Sequence, residues 1–307
     1  MKVFVTGACG QLGYDVLKEL TSRGHIPVAS DLSGDAYEGK AEFCKLDITR
    51  QDKVLQLLEE IRPQAVIHCA AWTAVDAAEE DECRGKVRSI NADGTRYLAK
   101  ACKKLDIPMM YISTDYVFDG QGTKPWEPDC KKYAPLNVYG RTKLEGELAV
   151  AEQLSKFFIV RIAWVFGAHG NNFVKTMLRI AQNHDKITVV NDQIGTPTYT
   201  KDLARLLVDM IETDRYGYYH ATNEGGYISW YEFALEIFKQ AAAMGLEECK
   251  ETSLSVEPVT TKEYGQSKAA RPYNSRLDKS KLSKQGYAPL PDWKDALSRY
   301  LKEILSR

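Results

Sequence analysis

The first half of the chain alternates short apolar runs with longer segments of helical spacing. The short runs, rich in β-branched and aromatic residues, are KVFVT, IPVAS, EFCKL, QAVIHCA, PMMYIST and FFIVRIA. Between them apolar residues recur at helical intervals, as at Val16, Leu17 and Leu20 after the first run. Strands that alternate with helices in this way predict an α/β fold with a doubly wound parallel sheet.

The pattern changes after Trp164. The segments NNFVKTMLRIAQ, KDLARLLVDMIE and SWYEFALEIFKQAA have helical spacing and are joined by loops that contain Gly, Pro and Tyr. We therefore expect a first domain over residues 1–165, to which 187–222 return. A smaller C-terminal lobe, built from 166–186 and 223–307, is expected to bind a substrate.

Composition and charge narrow the range of partners. The chain has 307 residues, 44% of them hydrophobic, which is enough to bury a large core. Its 41 basic and 42 acidic residues nearly cancel and are interspersed, so no basic face is offered to nucleic acid or to an anionic membrane. No apolar run approaches the ~18 residues of a membrane span. Specific binding of a small molecule is therefore the expected activity.

Cysteine usage indicates a reducing compartment. The seven cysteines are widely spaced, odd in number and without a Cys-x-x-Cys pair, which argues against a disulfide framework and against a zinc site. The N-terminus enters a strand directly and shows no export signal. We expect a cytoplasmic protein with reduced thiols.

The opening stretch MKVFVTGACGQLGYDV places Gly7, Gly10 and Gly13 between a strand and a helix. In dinucleotide-binding loops of this kind, glycines allow the tight turn, the approach of a pyrophosphate and close helix packing. The helix N-terminus then faces the phosphates. A tight turn without a ligand is the simpler alternative, but the flanking strand and helix favour a Rossmann-type domain that binds a dinucleotide coenzyme.

Asp31 bears on the choice of coenzyme. It ends the strand that begins at Ile26 and lies 18 residues after Gly13, close to the ~20 at which an acid binds the adenosine ribose. A carboxylate there would repel a 2′-phosphate, and no Arg or Lys lies between Ser30 and Ala36. NADH is therefore favoured over NADPH.

Candidate chemistry lies farther along the chain. The run STDYVFDG ends a strand at Ser113 and Thr114, and NVYGRTKLEGE places Tyr139 and Lys143 four residues apart, on one face at the start of a helix. A phenol has a pKa of about 10, and a nearby ammonium lowers it. Tyr139 is then a candidate general acid with Lys143 as its electrostatic partner. Tyr-x-x-x-Lys also occurs on ordinary helix surfaces, so its place in this chain is what supports the assignment.

Together these residues resemble the extended short-chain dehydrogenase/reductases. The resemblance runs from VTGACGQLG through STDYVFDG and PLNVYGRTKLEGE to the late ARPYNSRLD, nearly the whole chain. Three segments, AVDAAEED, NNFVKTML and DQIGTPT, are narrower than the superfamily and resemble its nucleotide-sugar reductases. The implied reaction is reduction of dTDP-4-dehydro-β-L-rhamnose to dTDP-β-L-rhamnose by hydride from NAD(P)H, the last step of dTDP-L-rhamnose biosynthesis.

The resemblance also implies roles for residues. Thr114 would hydrogen-bond the sugar ketone, Tyr139 would protonate it, and Lys143 would hold the nicotinamide ribose. Asn91 would order a water beside the lysine. The positions matched to the coenzyme are Gly7, Gly10, Gln11, Leu12, Gly13, Asp31, Asp47, Ile48, Ala70, Ala71, Thr73, Tyr139 and Lys143, and those matched to the substrate are Thr114, Tyr116, Tyr139 and Trp164.

Metal binding and assembly are less well defined. Some relatives form Mg²⁺-bridged dimers through glutamates, but the acid on the first helix here is Asp15, shorter by a methylene, and no full ligand set is evident. No metal is therefore predicted, and monomer and homodimer both stay open. Related reductases use either coenzyme, so NADPH is an alternative to NADH.

Other residues have simpler interpretations. His68 lies inside an apolar strand and is expected to be a hydrogen-bonded core histidine. The acidic run from Asp76 to Glu82 is expected to be a solvated helix start, and an alternative is that it shapes a dimer surface. Tyr116 and Trp164 are alternatively plain core aromatics.

Competing functions remain within and outside the superfamily. A nucleotide-sugar dehydratase carries an Asp-Glu pair after the strand threonine, whereas here Asp115 is followed by Tyr116, which disfavours elimination. A 4-epimerase also begins with hydride transfer at C4 and stays open. A non-catalytic subunit that resembles the methionine adenosyltransferase β subunit also stays open, because that subunit shares much of the pattern.

Overall fold

A computed structural model describes residues 1–37 and 39–306. The strands are β1 (Lys2–Thr6), β2 (Ile26–Asp31), β3 (Glu42–Lys45), β4 (Ala65–His68), β5 (Met109–Thr114), β6 (Phe157–Ile162), β7 (Val165–Phe166), β8 (Lys186–Val190), β9 (Ile194–Gly195), β10 (Thr198–Tyr199), β11 (Gly217–His220), β12 (Ile228–Ser229) and β13 (Ser255–Val259). The α-helices are α1 (Gln11–Ser22), α2 (Gln51–Ile61), α3 (Asp81–Arg88), α4 (Thr95–Leu105), α5 (Val138–Gln153), α6 (Phe173–Ala181), α7 (Thr200–Ile211), α8 (Trp230–Ala243), α9 (Thr261–Tyr264), α10 (Ser280–Lys284) and α11 (Trp293–Leu305).

Seven strands form one parallel sheet in the order β11-β6-β5-β4-β1-β2-β3. The six apolar runs are all strands of this sheet, so the predicted doubly wound α/β fold is confirmed. The strand order reverses at β1, and ligands of such sheets bind at the carboxyl ends of the strands beside that point. The seventh strand, β11, was not among the predicted runs, because four residues at a sheet edge leave little periodicity to detect.

Helices cover both faces of the sheet. Val3 and Val5 point to the face covered by α1 and α7, and Phe4 points to the face covered by α2, α4 and α5. These three residues of β1 are fully buried, which is why β1 is apolar at consecutive positions instead of alternating apolar and polar residues.

A second core lies beyond the sheet. It joins α6, α8 and α11 through side chains such as Phe233, Ile237 and Leu297. β8 pairs with β13 in this region, whereas α7 packs on α1 and β11 extends the main sheet. The division of the chain into two lobes at the stated boundaries stays a prediction.

Two composition-based expectations can be compared with the fold. All seven cysteines carry free thiols, as expected. Within residues 1–37 and 39–306, every helix is too short or too polar to cross a membrane.

Candidate active site

A cleft of about 880 Å³ opens at the carboxyl ends of the central strands. It brings together nearly all of the predicted site residues, which lie between Gly7 and Trp164 in the first domain. Those that line it are Gly7, Gly10, Gln11, Leu12, Gly13, Asp31, Asp47, Ile48, Ala70, Ala71, Thr73, Thr114, Tyr116, Tyr139, Lys143 and Trp164. The sequence spacing therefore converges on one site.

The glycine loop packs closely on itself and on the residues that follow β4. Gly7 has a φ of +70°, and a Cβ there would lie 2.6 Å from the backbone nitrogen of Ala70. A Cβ on Gly13 would lie 2.0 Å from the Gly7 carbonyl oxygen. Gly10 caps α1 without a side-chain hydrogen bond, so the first N–H groups of the helix face the cleft as donors for an anion. This cradle fits the pyrophosphate of a dinucleotide.

Asp31 is held beside the loop by both of its carboxylate oxygens. Oδ2 accepts the backbone N–H of Cys9 at 3.0 Å, and Oδ1 accepts that of Leu32 at 2.8 Å. A second carboxylate, Asp35, accepts the Ser33 hydroxyl at 2.6 Å. The rim of the cleft after β2 is therefore acidic, and Asp31 also anchors the glycine loop, which the sequence did not indicate.

Asp47 and Ile48 line the cleft in different ways. The Asp47 carboxylate accepts the backbone N–H of Thr49 at 2.9 Å and its hydroxyl at 2.7 Å. Asp47 therefore shapes its own turn, while Ile48 packs closely against Gly94, where a Cβ would lie 2.9 Å from Ile48 Cγ1.

Thr114, Tyr139 and Lys143 meet where β5 ends and α5 begins. The Thr114 hydroxyl donates to Asp115 Oδ1 at 3.0 Å and lies close enough to the Tyr139 hydroxyl to affect its pKa. Asn137 caps α5 by accepting the backbone N–H of Gly140 at 2.7 Å, which fixes the first turn that carries Tyr139. Local capping thus aims the tyrosine at the strand end.

Burial controls the protonation of this group. It raises the pKa of Tyr139, although the hydrogen bond with Thr114 opposes the shift. It lowers the pKa of Lys143 to about 7, against the opposing effect of the Glu147 carboxylate. The Lys143 ammonium donates to the Ile112 carbonyl at 2.7 Å and lies 4.1 Å from the centre of the Tyr111 ring. The lysine was expected to lower the Tyr139 pKa, but burial raises that pKa and keeps Tyr139 a neutral proton donor.

The lowered pKa of Lys143 predicts a pH-dependent coenzyme affinity. Because that pKa is about 7, the ammonium is lost as pH rises above neutrality. We expect the NADH dissociation constant to rise above pH 7, by up to about tenfold per pH unit. Fluorescence titration between pH 6 and 9 measures it. The Lys143→Met variant should bind weakly and show a flat profile, and a flat profile in the unaltered protein would contradict the prediction.

Comparison with known proteins decides the family. The model described as the RmlD substrate binding domain matches residues 1–306. This chain belongs to that family.

Relatives of the RmlD family cover nearly the same length. A dTDP-4-dehydrorhamnose reductase of Aggregatibacter actinomycetemcomitans is 38% identical over 302 residues, 96% of this chain and 97% of the relative. The crystal structure of the Bacillus anthracis dTDP-4-dehydrorhamnose reductase in complex with NADP has a TM-score of 0.87 and 40% identity, and covers 98% of this chain and 99% of its own. The crystal structure of the Clostridium acetobutylicum ortholog has a TM-score of 0.88 and 38% identity. It covers 99% of this chain and 100% of its own. The resemblance inferred from the motifs is thus confirmed.

Asn91 is a predicted site residue, but in this RmlD-family chain it does not line the cleft. It is buried in the π-helical turn Ser89–Gly94. Its Oδ1 accepts the backbone N–H of Trp72 at 2.8 Å, and its Nδ2 donates to the Thr142 hydroxyl at 3.1 Å. Asn91 therefore ties the segment after β4 to α5, and its role in ordering a water stays a prediction.

The acidic run from Asp76 to Glu82 was expected to be solvated, and that interpretation was incomplete. Asp76 accepts from Arg271 at 2.7 Å, and Glu80 pairs with Lys268. Arg271 also donates to the Tyr116 hydroxyl at 3.4 Å. The run therefore binds the segment that carries Lys268 and Arg271, nearly two hundred residues later in the chain. The local charge pattern does not predict this contact.

Other cleft residues were missed by the sequence interpretation. Trp230, Lys86, Asn171 and Asp115 all line the cleft. No motif marked Trp230 or Lys86, whereas Asn171 is the first residue of the segment NNFVKTML. Burial raises the pKa of Asp115 to about 6, so a carboxyl group that titrates near neutral pH lies beside Thr114. Its signal was available, because it directly follows a predicted catalytic residue.

His68 is the expected core histidine. Its Nδ1 lies 2.7 Å from the Thr6 hydroxyl, and its Nε2 lies 3.0 Å from that of Thr95. Burial lowers the pKa of His68 to about 3, which keeps the ring neutral.

The first-helix acid Asp15 is engaged within the chain. The Thr200 hydroxyl donates to Asp15 at 2.5 Å, and burial raises the pKa of this carboxyl. Among the residues that the structure describes, no group of three or more His, Cys, Asp or Glu side chains could hold a metal ion.

Proposed function

We propose that this chain reduces dTDP-4-dehydro-β-L-rhamnose to dTDP-β-L-rhamnose with hydride from a nicotinamide coenzyme, the last step of dTDP-L-rhamnose biosynthesis. The observation that carries the proposal is that the glycine cradle and the Thr114–Tyr139 pair share one cleft. The full-length match to a family whose relatives are dTDP-4-dehydrorhamnose reductases supports the substrate.

The residues present fit a dinucleotide from end to end. The N–H groups at the start of α1 would hold the pyrophosphate, Asp31 the adenosine ribose, and Lys143 the nicotinamide ribose. When bound, the reduced coenzyme supplies a hydride to the sugar. We infer that NADH is preferred and that NADPH is also accepted.

The chain itself moves the proton. Thr114 would hydrogen-bond the C4 ketone oxygen, and Tyr139 would give its phenolic proton to that oxygen as the carbon accepts hydride. The Tyr139 O–H bond breaks, the ketone becomes an alcohol, and the phenolate regains its proton from solvent. Because burial raises the pKa of Tyr139, this transfer needs help from the Lys143 charge and from Thr114.

One assay tests the proposal. Purified protein given dTDP-4-dehydro-L-rhamnose and NADH should oxidise one NADH for each sugar reduced, followed by absorbance and by product analysis. Correctly folded, coenzyme-bound protein without turnover would contradict the proposal and favour a regulatory subunit. Accumulation of the C4 epimer of a supplied nucleotide sugar without net NADH loss would favour an epimerase.

Coenzyme choice is a separate prediction, carried by the acidic rim at Asp31 and Asp35. NADH should bind more tightly than NADPH, because a 2′-phosphate would meet carboxylates without a cation. Asp31→Asn should narrow or reverse the difference in affinity between NADH and NADPH. The dissociation constants of the two coenzymes measure it. Asp35→Asn, which leaves Asp31 bonded to Cys9, is the matched control with a smaller effect. NADPH binding at least about tenfold more tightly to the unaltered protein, a difference of about 1.4 kcal/mol, would contradict this role of Asp31.

A further inference from the structure

One wall of the cleft contains Trp164, which stacks on Trp230 and lies close to Gly195. The two indole rings stack with centroids 3.8 Å apart and planes 17° apart. On the Gly195 side, a Cβ on that glycine would lie 2.9 Å from Trp164 Cε2. Any side chain at position 195 would therefore clash with the indole unless the ring moved.

Trp164 adopts a backbone conformation that is unusual for its side chain. Its φ is +51°, in the left-handed region that non-glycine residues seldom occupy. Such strain persists only where the surroundings enforce it, and it concentrates at functional sites. Trp230 and Gly195 are the neighbours that contact the Trp164 ring in this conformation.

The three parts come from separate pieces of chain that pairing brings together. β9 ends at Gly195 and pairs antiparallel with β12, so that Gly195 lies opposite Ile228. Trp230 follows β12 as the first residue of α8. Phe173, at the start of α6, lies behind Trp230 with ring centroids 4.6 Å apart.

The N-terminus of α8 is itself fixed. Ser229 and Glu232 form a reciprocal capping box, in which the Ser229 hydroxyl accepts the Glu232 N–H at 3.0 Å. Trp230 is therefore a rigid support for Trp164. The narrow motifs NNFVKTML and DQIGTPT supply Phe173 and Gly195, so they build this wall.

Trp230 and Gly195 contact the Trp164 ring, and the ring also faces the cleft. Trp164 and Trp230 both line the cleft. Among residues 1–37 and 39–306, the indole N–H of Trp164 makes no hydrogen bond, so it can donate to a ligand hydroxyl.

We propose that Trp230 and Gly195 are positioning residues that hold the Trp164 indole so that it selects and orients the nucleotide sugar. This inference rests on the proposed function, in which Trp164 forms a wall of the sugar pocket. Trp230 acts through Trp164, and coenzyme binding is left to the glycine loop and Asp31.

Steady-state kinetics of Trp230→Leu tests the role. The KM for dTDP-4-dehydro-L-rhamnose should rise and kcat/KM should fall by about 10- to 100-fold, as for a misplaced orienting group. The NADH dissociation constant should stay within about twofold of the parent value. Trp230→Phe, which keeps a flat ring, should recover most of the loss. Gly195→Ala should raise KM as well, since its methyl would displace the indole.

A matched control separates positioning from loss of an aromatic stack. Trp126 stacks on Phe118 with centroids 4.5 Å apart but does not line the cleft. Trp126→Leu should leave KM unchanged. Near-ultraviolet circular dichroism provides a readout independent of activity: the coupled signal of the two indoles should vanish equally in Trp164→Leu and Trp230→Leu, and persist in Trp126→Leu.

The double variant is decisive. If Trp230 acts through Trp164, adding Trp230→Leu to Trp164→Leu should raise KM no further. An additive rise, or a parental KM in Trp230→Leu, would overturn the positioning role while the proposed function stands. Absence of turnover in the unaltered, folded protein would overturn the proposed function and this role with it.

Discussion

Replacing Tyr139 with Phe should abolish most turnover while leaving the fold and ligand binding intact. The change removes one hydroxyl and keeps the ring, which lies edge-on to Tyr116 with centroids 5.7 Å apart. Loss of a positioned acid lowers kcat by about 10²–10⁴-fold. Stopped-flow oxidation of NADH and of its deuterated form measures the chemical step directly.

The matched control is Tyr116→Phe. Tyr116 lines the same cleft, burial raises its pKa to about 12, and its hydroxyl accepts from Arg271. Turnover should change little in this variant. If instead Tyr139→Phe retains near-full turnover with a deuteride isotope effect, and Tyr116→Phe loses it, the proton donor is Tyr116.

Alanine at the loop glycines should remove coenzyme binding in a graded way. Gly10→Ala would place its Cβ 3.2 Å from the Gly7 carbonyl oxygen, so the fold should survive while the methyl obstructs the pyrophosphate. Gly13→Ala would place its Cβ 2.0 Å from the same oxygen, so the backbone must move. We expect NADH affinity to fall by about 10-fold or more in the first variant and further in the second. Calorimetric titration and thermal unfolding measure the two effects.

Gly85→Ala is the control for this series. Gly85 lies in α3, and a Cβ there would have no neighbour within 4 Å. Alanine should stabilise the helix by roughly 0.5–1 kcal/mol and leave NADH binding unchanged. Unaltered NADH affinity in both Gly10→Ala and Gly13→Ala would place the coenzyme elsewhere.

Several regulatory or structural outcomes would still agree with the fold. Tight NADH binding without sugar reduction would support the role of the glycine loop in coenzyme binding. It would also indicate that the chain has a non-catalytic role. Oligomeric state and cytoplasmic location stay predictions, and light scattering with and without Mg²⁺ would determine the first.

The amino-acid sequence by itself determined the features that depend on spacing along the chain. Six strands of the sheet follow from short apolar runs, because a parallel strand buried on both faces needs them. The glycine loop follows from three residues that must lack a Cβ, and the common face of Tyr139 and Lys143 from the helical repeat. These are local constraints, so neighbouring residues suffice to predict them.

Only the tertiary structure decided the features that depend on distant segments. Asp76 meets Arg271 across nearly two hundred residues, and Trp164 contacts both Gly195 and Trp230. The direction of the Tyr139 pKa shift was mispredicted from Lys143 alone, since burial of the phenol has the largest effect on that pKa. Desolvation and side-chain stacking arise from packing in three dimensions, and the spacing of residues along one segment carries no record of them.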